Sequence, residues 1–311
     1  MTKSLFITSA LVAGLLSTHA DAANNRTWIS GKGIDQAGCG PVANPCRTLQ
    51  YAHDNTNAGG EIDVMDPAGY GSVAITKAIS IINDGVGTAG VLATIDTAIA
   101  INAGASDAVI LRGLTIEGAN SADDGIYASQ VGSLTIANCV VQSFAKRGLG
   151  FFSNSNGTLN VFNSTMAGNR DGIVVAPSAS ATSVDIVLDR VVVTGNRSRG
   201  LQVAGDSGPT GIIRLSVSNS LVSSNLNGVQ LVATPLAINA IITNSVITEN
   251  SGNGLVTNGT PGPVVALGLN TISHNAMGVS VSAGTVQSYG NNQFANNGTD
   301  VSGTLTTVAQ K

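Results

Sequence analysis

A short phrase recurs along this sequence every 23 to 28 residues. Each copy contains an Asn, a short apolar stretch, a second Asn, and a Gly that is followed by an aliphatic residue. The copies begin at Asn138, Asn163, Asp189, Asn219, Asn244, Asn270 and Asn292, of which the first, third and last are degenerate. Self-similarity at such a period indicates a solenoid, in which each repeat is one unit that stacks on its neighbours.

Short strands are the expected building blocks of each repeat. Apolar residues recur at every second position, as at Leu134 and Ile136 or Leu215 and Val217, and Gly, Asn and Ser bound these runs. A period of two is typical of β-strands, whereas helices have a longer period. The pattern predicts an all-β fold, a single-stranded parallel β-helix of about ten coils that pair roughly 4.8 Å apart.

Stacking converts equivalent positions of the repeat into ladders, which predicts the interior side chains. We expect the aliphatic residues two positions before and two positions after the first Asn to face inward. These positions are Ile136, Val161, Val187, Val217 and Ile242 before the Asn, and Val140, Val191, Leu221, Val246 and Ile272 after it. The Asn side chains are expected to form a ladder at a bend, and the Gly of each copy to supply a corner with positive φ.

Residues 1–22 have the features of a secretory signal. Lys3 supplies a positive charge, an apolar run follows from Leu5 to Leu16, and Ala20 and Ala22 fit an A-x-A cleavage site. The apolar run is shorter than the roughly 20 residues that a membrane-spanning helix needs. We therefore expect export to the periplasm, the cell surface or the medium, without membrane insertion.

The charge balance narrows the classes of partner. The chain has 311 residues, of which 10% are charged, and its net charge is −4. Proteins that bind nucleic acid usually carry clustered basic charge and a high isoelectric point, so nucleic acid is not an expected partner. The oligomeric state has no signature in the sequence.

The cysteines and histidines limit the thiol and metal chemistry. Cys39 and Cys46 lie close in sequence, and export permits a disulfide between them. Cys139 follows a ladder Asn and is expected to be a small buried residue rather than a reactive thiol. His53 and His274 are far apart, and no Cys or His cluster has metal-ligand spacing.

The N-terminal segment of residues 23–60 differs from the repeats. Asn44 and Pro45 are expected to begin a short helix over residues 46–57, and Gly59 and Gly60 to end it. A β-helix has an open apolar end that a capping element must cover. We expect residues 23–60 to cap a β-helix that spans residues 61–311.

The motifs of this segment resemble those of a known family. They are Gly33-Ile34-Asp35, Pro45-Cys46-Arg47-Thr48, Gly59-Gly60 and Gly69-Tyr70. They resemble the cap and first coils of bacterial secreted right-handed parallel β-helix proteins of the pectate lyase-like superfamily. The later repeats extend the resemblance over nearly the whole mature chain. It implies a right-handed coil, the usual hand of parallel crossovers, but no single activity, since the superfamily includes lyases, hydrolases, epimerases and proteins without known chemistry.

Charged residues collect just before the Gly that closes each copy. The closing glycines are Gly125, Gly148, Gly172, Gly200, Gly228, Gly254 and Gly278. Directly before the first four stand Asp124, Arg147, Asp171 and Arg199, and close by lie Asp123, Lys146, Arg170 and Arg197. Stacking should gather these eight side chains onto one surface across four coils. We call this surface the charged rim.

The charged rim has three interpretations. As an ion-pair ladder it fixes the register of the coils, with about 0.2–1 kcal/mol from each cross-strand pair. As a groove it binds an acidic sugar polymer, because Arg can bind a carboxylate bidentately. The contacting residues would be Lys146, Arg147, Arg170, Asp171, Arg197 and Arg199. As a lyase site it would use Arg147 or Arg170 as the base, with Asp123, Asp124 and Asp171 as candidate calcium ligands.

Hydrolysis is a further alternative, carried by two adjacent carboxylates. Asp123 and Asp124 resemble the paired aspartates of β-helix polygalacturonases, in which two carboxylates share acid and base work. The other motifs of that family, Asn-Thr-Asp, Gly-His-Gly and Arg-Ile-Lys, are absent, as is the Asp-Pro-His signature of alginate epimerases. The catalytic candidates are thus Asp123, Asp124, Arg147 and Arg170, without a recognisable motif around them.

Three functions follow from these interpretations. We expect a protein that binds an extended acidic polysaccharide, with no cofactor other than calcium as a candidate. A lyase-like or hydrolytic enzyme acting on uronate polymers, and a structural or adhesive surface protein, remain the alternatives. Phe151 and Phe152 are adjacent on a strand, so one ring should point outward near the rim, where it could stack on a sugar.

Overall fold

Parallel β-strands form nearly all the regular structure of the computed structural model, which describes residues 24–177, 183–205 and 211–309. The expected signal of residues 1–22 lies outside these ranges. The strands, numbered along the chain, form three sheets, and from β2 onward each sheet takes every third strand. The chain therefore coils through sheet A, sheet B and sheet C in turn, as the repeat predicts.

The strands of each sheet stack in chain order along the solenoid. Sheet A contains β1 (Asn24–Ile29), β2 (Thr56–Val64), β5 (Ile79–Ile82), β8 (Ala108–Arg112), β11 (Ser133–Ala137), β14 (Gly157–Phe162), β17 (Ser183–Asp189), β20 (Ile212–Ser218), β23 (Ala237–Thr243), β26 (Val264–Gly268), β29 (Thr285–Ser288) and β32 (Leu305–Thr307). Sheet B contains β3 (Ala68–Gly69), β6 (Ala89–Leu92), β9 (Leu114–Glu117), β12 (Val140–Gln142), β15 (Thr165–Ala167), β18 (Val192–Thr194), β21 (Leu221–Ser223), β24 (Val246–Thr248), β27 (Thr271–Ser273) and β30 (Gln293–Ala295). Sheet C contains β4 (Val73–Ile75), β7 (Thr97–Asn102), β10 (Asp124–Gln130), β13 (Arg147–Phe151), β16 (Asp171–Val175), β19 (Arg199–Ala204), β22 (Asn227–Ala233), β25 (Asn253–Gly259), β28 (Met277–Val281) and β31 (Thr299–Ser302).

The core is a set of aliphatic columns that run along the solenoid. One column consists of residues that pair in register from coil to coil on sheet C and are fully buried. Its members are Ile126, Leu149, Ile173, Leu201, Val229, Leu255 and Val279. Because each coil buries its apolar face only against its neighbours, stability is distributed along the whole stack.

A single residue with positive φ turns the chain from sheet A to sheet B. These corner residues are Asn138, Asn163, Arg190, Asn219, Asn244 and Leu269, with φ between 46° and 57°. The predicted Asn bend is confirmed in four coils. In the coil of β17 the corner is Arg190 and not Asp189, so Leu188 is buried where Val187 had been predicted.

The interior positions after this corner differ from the prediction by one residue in three coils. Val141, Val222 and Ile247 are buried, whereas their predecessors Val140, Leu221 and Val246 face outward. The corner residue reverses the chain, and the first residue after it already points inward. The alternation therefore restarts one position earlier than in a continuous strand, and a shift of one residue exchanges the two faces. Val191 and Ile272 are buried as predicted.

The second Asn of each copy lies inside the solenoid. Asn169, Asn196, Asn225, Asn250 and Asn275 are all buried. The Oδ1 atom of each following Asn accepts hydrogen bonds from the backbone N–H and the Nδ2 of the preceding one, at 2.9–3.2 Å. This ladder satisfies polar groups that would otherwise be buried without partners.

The closing glycines serve packing and not a positive φ, which corrects the prediction. None of them has a positive φ; they lie within the strands of sheet C. A Cβ atom at Gly172 or Gly228 would lie 2.6 Å from the carbonyl oxygen of the closing Gly in the next coil. It would also approach the Nδ2 of the internal Asn ladder to 2.9 Å. Gly is thus required at these positions because the backbone of the next coil and the internal Asn ladder occupy the space that a side chain would need.

The N-terminal cap contains a shorter helix than predicted. Helix α1 spans Leu49–Asp54, and its N-cap is Thr48 rather than Asn44. Asp35 fixes this start, because its carboxylate accepts bonds from the backbone N–H groups of Arg47 and Thr48 and from the Thr48 hydroxyl. The predicted boundary at residue 60 falls inside β2, and β1 already extends sheet A.

A disulfide joins Cys39 to Cys46 beside the cap helix, with their Cα atoms 5.0 Å apart. Cys139 is free and buried, and its burial raises the pKa of the thiol to about 11. The sulfur is therefore held protonated in an apolar interior. Within the described part of the chain, no helix is long and apolar enough to cross a membrane.

Candidate functional site

The charged rim lies on sheet C, where four successive strands begin. Asp124, Arg147, Asp171 and Arg199 are the first residues of β10, β13, β16 and β19. Asp124 pairs with Arg147, and Arg147 with Asp171, in the register of the sheet. A Cβ atom on the closing Gly of each strand would meet interior atoms, such as the Nδ2 of the internal Asn ladder, whereas the charged residues before it pair with one another beside a surface cavity. The repeat spacing thus brings together charges that are 23 to 28 residues apart in sequence.

Two bidentate ion pairs dominate the rim. Arg147 donates from Nε and Nη2 to the two carboxylate oxygens of Asp124 at 2.7 and 2.8 Å. Arg199 donates from the same atoms to Asp171 at 2.8 and 3.3 Å. Both aspartate residues are only 4% exposed. The hydrogen bond to Asp124 raises the pKa of Arg147 above its ordinary value, so this guanidinium is a fixed cation with its fork already occupied.

An aromatic pair supports Arg147 from a second side. The guanidinium carbon lies 4.8 Å from the ring centre of Phe152 and 5.6 Å from that of Tyr127. The two rings stack on each other with centres 5.2 Å apart. Phe152 thus points outward while Phe151 is buried, as the adjacency of the two residues predicts. Each cation–π contact contributes about 0.5–1 kcal/mol at an exposed site.

The remaining rim cations are held more loosely. Lys146 donates to Asp123 at 2.8 Å, and both side chains are about half exposed. Arg170 has its Nε 4.0 Å from Asp171, and its side chain is 58% exposed. Arg197 donates to the Phe144 carbonyl at 3.1 Å and borders a different depression, which also contacts Glu249. Arg197 therefore does not join the groove that the other predicted contact residues form.

A cavity of about 270 Å³ opens between these side chains. Four cations and one carboxylate line it: Lys146, Arg147, Arg170, Arg199 and Asp171. Phe152 and Gln202 complete its polar and aromatic lining, and Val174, Ala176 and Ala204 form its apolar floor. The cavity is thus locally positive in a chain whose net charge is −4.

Each carboxylate of the rim forms an ion pair with a different cation. Asp123, Asp124 and Asp171 bind Lys146, Arg147 and Arg199, respectively. In the ranges that the structure describes, no three His, Cys, Asp or Glu residues come close enough to hold a metal ion. The three candidate calcium ligands therefore contact three different cations, and both oxygens of Asp124 already accept hydrogen bonds from Arg147.

Sequence reasoning missed Gln202, which accepts a hydrogen bond from Arg199 at 2.6 Å and lines the cavity. Gln202 lies three residues after Arg199, on the same outward face of β19. The signal that could have identified it is the period of the repeat. The residue two positions after each closing Gly is Tyr127, Gly150, Val174, Gln202 and Gln230 in successive coils.

A single-stranded parallel β-helix defines the class of this protein. The chain belongs to the family described as periplasmic copper-binding protein (NosD), whose model matches residues 101–308. No curated protein sequence matches the chain.

Solved structures share the fold at low sequence identity. The chain is similar to the pectate lyase Pel9A, with 18% identity, a TM-score of 0.63, and coverage of 94% of this chain and 82% of that one. It is also similar to the A-modules of the mannuronan C-5 epimerases AlgE4 and AlgE6 from Azotobacter vinelandii, each at 14% identity. Their TM-scores are 0.40 and 0.38, with coverage of 81% and 85% of this chain and 91% and 95% of theirs. The comparison with Pel9A establishes the right-handed parallel β-helix of the pectate lyase-like type, and the fold alone.

Proposed function

We propose that this protein is exported and binds an extended acidic polysaccharide in the groove of the charged rim, without cleaving it. One observation carries the proposal: Lys146 and Arg170 are about half exposed at the edge of a cavity that four cations and one carboxylate line. Polymer carboxylates can pair with these two cations without breaking the internal ion pairs. The shape of the surface also fits the proposed ligand, because an open sheet face that runs along the coils can accommodate an extended polysaccharide chain.

The tight pairs of the rim favour binding over cleavage. Removing a proton from a sugar needs a base whose pKa lies near the working pH. Arg147 donates from Nε and Nη2 to Asp124, and Asp124 is buried under the same guanidinium, so neither side chain offers a free group at the cavity. Arg170 is the remaining candidate base, and a lyase activity that depends on Arg170 is the alternative outcome of the experiments below.

The comparisons support parts of this proposal. The family description calls NosD periplasmic, which agrees with export. Pel9A is a pectate lyase, an enzyme of an acidic polysaccharide, which agrees with a polysaccharide ligand on the same fold.

The family description also names copper, a metal that would need His or Cys ligands close together. His53 is buried in the cap, where its Nδ1 contacts Asp54 and its Nε2 accepts the Thr76 N–H. His274 is in the last coils, Cys139 is buried, and no three His, Cys, Asp or Glu residues come together within the described ranges. Copper prefers several imidazole or sulfur ligands in one place, and these His and Cys residues do not supply such a centre.

A charge-removing variant tests the groove directly. We expect Lys146→Ala with Arg170→Ala to weaken binding to an acidic polysaccharide by about tenfold, since each cation contributes roughly 0.5–1 kcal/mol at partial exposure. The matched control is Arg214→Ala, which removes a side chain of 55% exposure from sheet A. Affinity is measured by retention or calorimetry on polygalacturonate, alginate and hyaluronan. Equal losses of affinity in the double variant and in the control would refute the proposal that the polysaccharide binds in this groove.

A further inference from the structure

The outward face of sheet C continues beyond the charged rim as a row of amides. In the register of the sheet, Arg199 pairs with Asn227, and Gln202 pairs with Gln230. Asn253 follows in the next coil and bonds to Asn227. We call Gln202, Asn227, Gln230 and Asn253 the amide track. All four side chains are partly exposed.

The amide track keeps free hydrogen-bonding groups. Gln202 uses its Oε1 to accept from Arg199, at 2.6 Å, and Asn227 uses its Oδ1 to accept from the backbone N–H and the Nδ2 of Asn253, both at 3.0 Å. The side chain of Gln230 makes no hydrogen bond to any described residue. The amide N–H groups of Gln202 and Asn227, and both polar ends of Gln230, therefore remain available to a ligand.

The change from charges to amides has a chemical consequence. A carboxylate on the ligand can form ion pairs with the cations in the coils of β13 to β19. Amides carry a donor and an acceptor without net charge, so they match hydroxyl groups. Since strands are spaced by about 4.8 Å, a chain that leaves the rim along the solenoid reaches β22 and β25 next.

We propose that the ligand lies along sheet C with acidic sugars at the charged rim and uncharged, hydroxyl-bearing sugars on the amide track. The preferred ligand is thus a heteropolymer in which acidic residues adjoin neutral ones. This inference rests on the proposed function, because it extends the same groove.

The competing account is that the amides only hold the coils together. Asn227 and Asn253 do bond to each other across coils, so they are poor test positions. Gln230 separates the two accounts, because it stands between Gln202 and Val256 in the sheet register and its side chain bonds to neither of them. Its removal should leave the fold unchanged and affect only the ligand.

The test compares Gln230→Leu with Gln293→Leu. Gln293 is an exposed outward residue of β30 on sheet B, so its variant is the same chemical change away from the groove. The probes are polygalacturonate, alginate and hyaluronan, each before and after partial reduction of its carboxylates to neutral hydroxymethyl groups. We expect Gln230→Leu to lose about three- to tenfold in affinity for the partially reduced form of the retained polymer, with the melting temperature unchanged. The control should bind like the parent protein.

The outcomes separate the two proposals. If Gln230→Leu binds both forms of the retained polymer as the parent does, or melts at a lower temperature than the control, the amide track is not a ligand site and the charged groove stands. If the parent binds no acidic polymer in either form, the proposed function fails and the inference fails with it.

Discussion

The arginines of the charged rim divide into two kinds, which differ in what they hold. Arg147 and Arg199 neutralise buried carboxylates, whereas Arg170 is largely exposed. Removing one partner of a buried pair leaves the other charge uncompensated, which costs more than the pair contributes. Arg147 and Arg199 therefore fit the ion-pair ladder, and the exposed Arg170 is the arginine that the proposed ligand groove relies on.

We expect Arg147→Ala to lower the free energy of unfolding by about 3 kcal/mol, because Asp124 loses both hydrogen bonds while it stays buried. Arg170→Ala should cost less than about 1 kcal/mol, as exposed pairs do. Urea denaturation of both variants measures the difference. Equal effects would contradict the division into structural and ligand-binding arginines.

Asp63, at the N-terminal end of sheet A, makes the stability of the fold depend on pH. Burial, followed by repulsion from Glu61, raises the pKa of Asp63 from 3.8 to about 6, although Arg26 lies 2.7 Å away. The folded protein thus holds this proton more tightly than the unfolded chain does. The resulting stability is complete below about pH 4 and is lost as the pH rises through about 6.

Asp63→Asn should therefore raise the melting temperature at pH 7.5 and have little effect at pH 4, where the parent side chain is already neutral. Thermal melts of parent and variant at the two pH values provide the measurement. A variant that is less stable than the parent at pH 7.5 would show that the contact with Arg26 outweighs burial.

At the scale of the coil, the internal Asn ladder dictates the closing glycines. A Cβ at Gly228 would meet the Gly254 carbonyl oxygen at 2.6 Å and the Asn250 Nδ2 at 2.9 Å, and both atoms are fixed by the stack. Overpacking of this kind costs about 1–3 kcal/mol. Gly69 has no neighbouring atom within 4 Å of such a Cβ and has no positive φ.

Gly228→Ala should accordingly destabilise the protein by about 2 kcal/mol, whereas Gly69→Ala should be neutral within about 0.5 kcal/mol. Chemical denaturation compares the two. If Gly69→Ala proved as costly as Gly228→Ala, the loss would reflect the alanine itself rather than contact with the ladder.

The repeat in the sequence predicts the coil, because a strand period of two and a repeat of 23 to 28 residues leave few alternatives. It also predicts the partners in the rim, since Asp124 and Arg147 stand at the same distance from a closing Gly. It misplaces Val140 and Leu221, because the alternation restarts at a corner whose backbone conformation is not visible in the residue pattern. It misses the helix start at Thr48, because the decisive carboxylate, Asp35, lies 13 residues away.

At the scale of the whole molecule, sheet C combines two surfaces on one face. The strands from β10 to β19 carry the charged rim, and those from β19 to β25 carry the amide track. The fold, shared with Pel9A at 18% identity, determines that these residues align but not which residues they are. The side chains placed on the coils, rather than the fold itself, determine the function of such a protein.

The most direct measurement incubates the protein with polygalacturonate, alginate and hyaluronan, with and without calcium, and follows both polymer length and protein by size-exclusion chromatography. Binding without cleavage predicts that full-length polymer elutes together with the protein, and that this co-elution is lost in the Lys146→Ala, Arg170→Ala double variant and at high salt. Shortened polymer would contradict the account and make the protein an enzyme. Separate elution from every polymer would leave the rim with a structural role only.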